Sequence, residues 1–168
     1  MAIQLRDVVI TPTLQSDLPD ISNLHAQLFG PGRFTRTAYR VRESCPLISP
    51  FCQTAKWDGQ LIATITFTEV LIGSRTGALL LGPLAVGASY TNLGIGRALV
   101  STGIAHAKTV DMQLVILIGD LSYYQRAGFV SIPAGRIQLP GPADPARLLA
   151  HELKNAALQD YRGVVRAA

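Results

Sequence analysis

The chain has little of what staples or metallates a small protein. Its 168 residues hold two cysteines, Cys45 and Cys52, whose spacing matches no zinc motif and which read as reduced thiols. Three histidines, His25, His106 and His151, are scattered and form no His-Glu-x-x-His set, so metal catalysis has no support. Long apolar runs are missing too. Although the mean hydropathy is +0.28, the longest near-apolar stretches, 78–88 and 114–118, stop well short of the ~20 residues that a membrane helix needs. No basic, apolar, small-residue series near residue 1 reads as a signal peptide, and there is no repeat or low-complexity linker. The expectation is a soluble, cytoplasmic chain folded as one domain over residues 1–168.

What is present is apolar and mildly basic. Hydrophobic residues make up 48% and charged residues 15%, the balance of a chain with a well-buried core. Fifteen Lys and Arg against eleven Asp and Glu give a formal charge of +4. That balance favours an anionic partner: nucleic acid, an acidic substrate or the phosphates of a cofactor. The basic residues read as spread along the chain without a Lys/Arg-rich block, so ordinary surface charge is the plain alternative.

Periodicity orders the elements. Residues 7–13 read as a strand, and Ser16 or Asp17 as the cap of a helix with Leu18, Ile21, Leu24 and Leu28 at helical spacing. Gly30, Pro31 and Gly32 end it, and 35–43 is a weaker helix. Strands 50–57 and 61–72 flank Asp58-Gly59, a hairpin signal. In the second, Leu61, Ala63, Ile65 and Phe67 alternate with Ile62, Thr64, Thr66 and Thr68, opposing an apolar to a threonine-rich face. A turn at 73–77 leads to strand 78–86. A helix at 94–108 carries Leu99, Val100, Gly103, Ile104 and Ala107 on one stripe, where Gly103 allows close approach to a sheet. Residues 114–118 are apolar throughout, as in a central parallel strand. A short helix over 121–127 and a strand from Phe129 follow. The order predicts an α/β or α+β fold with a mixed sheet and helices on both faces.

The densest chemical signal runs through Leu81-Gly82-Pro83-Leu84-Ala85-Val86 to Gly94-Ile95-Gly96-Arg97-Ala98-Leu99. It is a strand, a loop and a glycine-bearing helix start, whose unpaired N–H groups and positive dipole end form an anion site. A P-loop is excluded because Arg97-Ala98 follows Gly96. A dinucleotide fingerprint lacks its third glycine, position 99 being Leu99. Gly-x-Gly alone equally describes a turn packed on a sheet. Glu69 continues the odd-numbered face of its strand and is a candidate base, with a solvent-facing carboxylate as the plain alternative. Asp120 reads as the cap of the short helix.

Downstream comes Ile118-Gly119-Asp120-Leu121-Ser122-Tyr123-Tyr124-Gln125-Arg126-Ala127-Gly128-Phe129. With the loop above, this segment resembles the GNAT acetyltransferase superfamily and, within it, the YhbS-like branch of bacterial N-acetyltransferases. Leu148-Leu149-Ala150-His151-Glu152-Leu153 and Gly163-Val164-Val165 are similar to that branch as well, and the first of these is a strand there, against its helix propensity. The resemblance covers most of the chain from Gly59 onward and is loose before it.

It implies a mostly antiparallel mixed sheet splayed between two strands, and acetyl-CoA as co-substrate without a metal. The strand of Leu84, Ala85 and Val86 would pair with the pantetheine arm. The loop of Thr91, Asn92, Leu93, Gly94, Ile95, Gly96 and Arg97 would wrap the pyrophosphate with main-chain N–H groups. Tyr124 aligns with the superfamily tyrosine that protonates the departing thiolate; packing of the helix on the sheet is its plain alternative. Thr91 stands where the family has Gln or Arg, Leu93 where Lys or Arg is common, and Gly87-Ala88 replaces a bulkier pair. The implied reaction is direct acyl transfer to a primary amine on a small molecule or a protein, since neither cysteine lies in either motif. A non-catalytic acyl-CoA sensor of the same fold is the alternative. A nucleic-acid-binding α/β protein is a third reading that the motifs oppose, and no membrane partner is expected. Superfamily members often form homodimers, and this sequence carries no interface signature of its own.

Overall fold

The computed structural model describes residues 2–168, with only the backbone described at residues 34 and 35. Strands β1 (Val9–Pro12), β2 (Gln53–Trp57), β3 (Gln60–Ile72) and β4 (Arg75–Val86) form an antiparallel run. β4 then pairs in parallel with β5 (Leu114–Ile118). β5 pairs antiparallel with β8 (Leu148–Glu152), which also holds β6 (Val130–Ser131). At the far end of β3, β9 (Gly163–Ala167) pairs antiparallel with it and parallel with β7 (Ile137–Gln138). The sheet is mixed and mostly antiparallel, as the sequence predicts. β5 is parallel to β4 alone, because β8 returns antiparallel on its other side.

Local chemistry sets the turns. Asp58 (φ 48°) and Gly59 (φ 75°) both occupy the left-handed region, the backbone of a type I′ hairpin. The β3–β4 turn is tighter than the expected 73–77: Ile72 already opposes Arg75, and Gly73 (φ 62°) takes the strained position. The 148–152 segment is a strand despite its helix propensity, since its neighbours β5 and β6 supply the ladder that an isolated segment lacks.

Helix α1 (Leu18–Phe29) starts differently from expectation. Neither Ser16 nor Asp17 caps it through a side chain, and Pro19 sits in its first turn, where the missing N–H has no helical partner to lose. The buried Asp17 carboxylate instead accepts the Leu14 amide at 2.8 Å and the Lys56 ammonium at 2.6 Å, pinning the helix start to β2. Helix α2 (Thr37–Arg42) is a single short segment, and with α1 it packs against β3, β4 and β9. The threonine-rich face of β3 is therefore a covered face: Thr64 and Thr68 are buried, and Thr64 donates to the Gln53 carbonyl at 3.2 Å.

Helix α3 (Ile95–Thr109) covers the opposite face. Its buried residues Leu99, Val100, Ile104 and Ala107 join Ala63, Ile65, Phe67, Leu79, Leu81 and Leu117 in the larger core cluster. Gly103 is the closest approach, for a methyl group there would lie 2.2 Å from the Phe67 ring. Both cysteines are free, and the buried Cys52 sulfur accepts the Phe67 amide at 3.4 Å.

Gly103 yields a stability test. Gly103→Ala improves helix propensity by ~1 kcal/mol. It also drives a methyl into a filled core, an overpacking that costs ~1–3 kcal/mol. We expect net destabilisation by urea unfolding, and a variant as stable as the parent would show that Phe67 yields freely.

Candidate active site

The β4–β5 ladder holds for three residue pairs, Ala78–Leu114, Leu79–Val115 and Leu80–Ile116, and then ends. On its other side β4 stays paired with β3, but Phe67 opposes Leu81 while Ile65 opposes Leu84, so β4 carries one extra residue around Gly82 and Pro83. Proline suits a bulge, where no ladder N–H is required of it. β5 meanwhile continues along β8, with Leu117 opposite Leu149 and Ile118 opposite Leu148. The two strands part, and residues 81–86 face β5 without pairing to it.

Two cavities open at the parting. One of about 640 Å³ is lined by Leu84, Val86, Thr91, Asn92, Gly94, Ile95, Gly96 and Arg97. The other, of about 590 Å³, lies toward α1 and α2 and includes Thr37, Tyr39, Arg42, Gly82 and Pro83. Leu84, Ile118, Tyr124 and Arg147 line both. Most of the residues expected at the site are thus gathered around one space. Ala85 is buried on the far side of its strand, and Leu93 packs against the core cluster.

The helix start is built for an anion. Asn92 (φ 63°) and Gly94 (φ 83°) turn the chain into α3, whose first turn has neither a capping side chain nor an acidic residue. Its leading N–H groups are therefore left to a ligand or solvent. Gly96 lets other groups close in, since a methyl there would sit 2.6 Å from the Tyr123 hydroxyl and 3.6 Å from Leu84 and Val86. Thr91 turns its hydroxyl back to the Ala88 carbonyl at 3.3 Å.

Tyr124 belongs to α4 (Leu121–Tyr124), a single turn held by its flanks. The Gly119 amide donates to the Arg147 carbonyl at 2.9 Å, extending the β5–β8 ladder into the turn. The Tyr124 ring lies so close to Gly119 that a methyl there would be 2.7 Å away, and it meets Phe129 edge-on at 5.6 Å. Burial chiefly, then Tyr123 and Asp120, pushes the Tyr124 hydroxyl up to about 12, with Arg147 opposing. It is a neutral proton donor at any physiological pH. Asp120 occupies the cap position of α4 but does not cap it through its side chain, which pairs with Arg147 at 3.3 Å. Both partners are well exposed, so this pair is weak and screened by salt.

Glu69 does not join this group. It lies opposite Leu79, exposed, and lines neither cavity. The odd face of β3 that buries Ile65 and Phe67 no longer buries position 69.

The sequence reading passed over the basic wall of the second cavity. Arg33, Arg36, Arg40 and Arg42 fall within ten positions, a local concentration masked by an even distribution elsewhere. Arg36, Arg42 and Arg147 line the cavity, with Asp144 as its one carboxylate. Arg42 donates through Nε to the Ala38 carbonyl at 3.1 Å and through Nη1 to the Gly82 carbonyl in the bulge. Among the described residues, no His, Cys, Asp and Glu cluster is placed to hold a metal ion, and no helix is long and apolar enough to cross a membrane.

A mixed sheet parted beside an uncapped helix start, with a tyrosine at the parting, matches the arrangement that the GNAT resemblance implies. The chain belongs to the Acetyltransferase (GNAT) family, which it matches over residues 18–129. The uncharacterized N-acetyltransferase YjhQ of Escherichia coli (strain K12) is 30% identical over 120 residues, 70% of this chain and 66% of YjhQ. A mycothiol acetyltransferase of Geodermatophilus obscurus is 30% identical over 112 residues, 58% of this chain and 35% of that protein. The chain thus spans just under two thirds of one relative and about a third of the other. Among solved structures, the GNAT family N-acetyltransferase YhbS from Escherichia coli in complex with CoA superposes with a TM-score of 0.82 at 24% identity, covering 96% of this chain and 90% of that one. A GNAT family acetyltransferase from Brucella melitensis in complex with acetyl-CoA gives 0.63 at 25% identity, with coverages of 89% and 97%.

A neighbouring cavity offers a pH test. It is lined by Leu18, Ile21, His25 and Leu47 and shares Tyr39, Arg42 and Pro83 with the basic one. His25 Nε2 is buried there without a hydrogen-bond partner among the described residues. Burial first, then Arg42 and Arg33, lowers its pKa to about 4. The folded state keeps His25 neutral while an unfolded chain protonates it below its ordinary 6.5, so this contribution is whole above pH 6.5 and fades as pH falls toward 4. The full loss is about 3 kcal/mol. Urea unfolding at pH 7 and pH 4.5 should show the decline, and His25→Leu should flatten it; an equal decline in the variant would assign the effect elsewhere.

Proposed function

We propose that this protein transfers an acetyl group from acetyl-CoA directly to the nitrogen of a primary amine. The observation that carries the proposal is the place of Tyr124, at the junction of a cavity suited to the donor and a cavity suited to the acceptor. The residues present fit CoA. The uncapped amides of α3 suit its pyrophosphate, and Gly96 leaves room for close backbone approach. The unpaired edge of β4 at Leu84, Ala85 and Val86 offers N–H and C=O groups to the amides of the pantetheine arm, much as an exposed sheet edge accepts an added strand. YhbS and the Brucella protein carry CoA and acetyl-CoA in their solved structures, which supports the same donor here.

When bound, the thioester supplies an activated acyl carbon and a thiolate leaving group. This chain's part is to hold the acyl carbon at the parting and to return a proton to the departing sulfur. Tyr124 suits the second task because its raised pKa keeps the phenol protonated. Cys45 and Cys52 line neither cavity, in keeping with direct attack by the amine rather than a covalent enzyme intermediate. The carboxylates at the two cavities, Asp144 and Asp120, are exposed, and no imidazole lines either one. The amine therefore reacts as its free base after losing its proton to water.

Calorimetry with acetyl-CoA, free CoA and NAD is the first test. Binding of both CoA species with no response to NAD is expected. Tyr124→Phe should then lower kcat by ~10²-fold with an unchanged Kd for acetyl-CoA. Binding without turnover on any amine would leave the acyl-CoA sensor as the better reading.

The pH profile is a second test. The rate constant should climb as the acceptor amine loses its proton and show no decline through pH 10, since Tyr124 holds its proton to about 12. A fall between pH 8 and 10 that Tyr124→Phe abolishes would contradict the shifted phenol.

A further inference from the structure

Among the described residues, the walls of the acceptor cavity carry more positive than negative charge. Its walls present Arg36, Arg42 and Arg147 against Asp144. Asp144 spends one oxygen on the Ala146 amide at 2.9 Å, and Arg147 pairs with Asp120 in the donor cavity. Arg42 is different from both. Its side chain runs from α2 to the bulge of β4, and it stacks at 4.4 Å over the Tyr39 ring. Among the described residues, its hydrogen bonds and ring contact are to neutral groups: the Ala38 and Gly82 carbonyls and Tyr39.

Among the described residues no carboxylate lies within 4.0 Å of it. The groups that would favour its charge are Tyr39, Cys52 and Cys45, and none is a carboxylate. Burial lowers the guanidinium's pKa from its ordinary value, the mark of a cation held away from water. Arg42 is half-buried, and a cation held partly away from water with no carboxylate beside it gains from a ligand that supplies the missing charge. Guanidinium is also the side chain whose forked donors match the oxygens of carboxylates and phosphates, and its five N–H groups exceed the two carbonyls it serves. Neighbouring cations reinforce it: Arg36 lies on the same wall, and Arg40 reaches Gly141 beside the rim residue Pro142.

We infer that the acceptor is a small amine bearing its own oxyanion, a carboxylate or a phosphate, which Arg42 with Arg36 neutralises while the amine points toward Tyr124. The inference rests on the acetyl-transfer reading for the identity of the reacting group. The charge argument does not, since it stands on the cavity alone. A cavity of about 590 Å³ has room for a molecule of this kind. The anion fixes one end of the acceptor and leaves the nitrogen free to reach the parting of β4 and β5.

The test pairs amines that differ only in the anion: O-phosphoethanolamine against ethanolamine, and β-alanine against n-propylamine. Binding is measured by calorimetry on the CoA-saturated protein, so that the α3 helix start is already filled, and turnover by release of free thiol from acetyl-CoA. We expect at least one anionic member to bind ten-fold or more tightly than its neutral partner. Which of the two does so tells phosphate from carboxylate. Arg42→Gln should abolish that preference. Arg36→Gln, on an exposed side chain that leaves the fold intact, should reduce it several-fold. Equal binding within both pairs would overturn the inference, as would a preference that survives in Arg36→Gln and in a folded Arg42→Gln. The reading beneath it fails separately. If the anionic amines bind and lose affinity in the variants while acetyl-CoA neither binds nor is consumed, the anion site stands and acetyl transfer falls.

Discussion

The fold depends on a ladder that stops. β4 and β5 exchange hydrogen bonds for three residue pairs, and beyond Leu80 and Ile116 each keeps only the partner on its other edge, β3 and β8. The cause is local to β4. An extra residue around Gly82 and Pro83 bends the strand while β3 holds it in register on the other side. Unpaired backbone groups in a protein interior are costly, so a parting of this kind persists only where solvent or a ligand reaches it. Here two cavities meet at it, and Leu84 lines both.

The second constraint is the alignment of α3 and α4 with that opening. α3 lies close to the sheet because Gly103 admits the Phe67 ring, and the same packing aims its uncapped first turn at the end of β4. α4 is too short to hold itself, with four residues and no side-chain cap. It is held by the Gly119 amide on the Arg147 carbonyl and by Tyr124 wedged between Gly119 and Phe129. The wedge does two things at once. It fixes the turn, and by burying the phenol it raises its pKa, so packing and the retained proton have one cause.

Much of this was legible in the residues. The Asp58-Gly59 hairpin, the α3 stripe with Gly103, the buried 114–118 strand and the glycine-bearing start of α3 at Gly94 all follow from local rules: positive φ at Gly and Asp, the 3.6-residue period, and glycine where backbones approach. What escaped depended on distant partners. Asp17 was read as a helix cap because caps are local, yet Lys56, far along the chain, claims its carboxylate. Asp120 was read the same way, and Arg147 takes it. Glu69 followed the period of its strand, but period says which face a residue shares and not whether that face is still covered there. The arginines of 33–42 were visible as letters; their meaning came from the cavity they line.

Donor and acceptor halves of the site are built from different materials, and this accounts for what each tolerates. The donor half is mostly backbone: helix N–H groups, a strand edge and glycines. Main-chain groups are supplied by any sequence that folds this way, whatever side chains stand at positions 91 and 93. The acceptor half is made of side chains on α2 and the segment around residues 142–147, including Arg36, Tyr39, Arg42 and Arg147. Its charge changes with single substitutions while the sheet stays as it is. The extra residue in β4 connects the two halves: Gly82 gives its carbonyl to Arg42 on the acceptor side, and the strand beyond it opens to the donor side. One bulge thus anchors the Arg42 cation and opens the gap between β4 and β5.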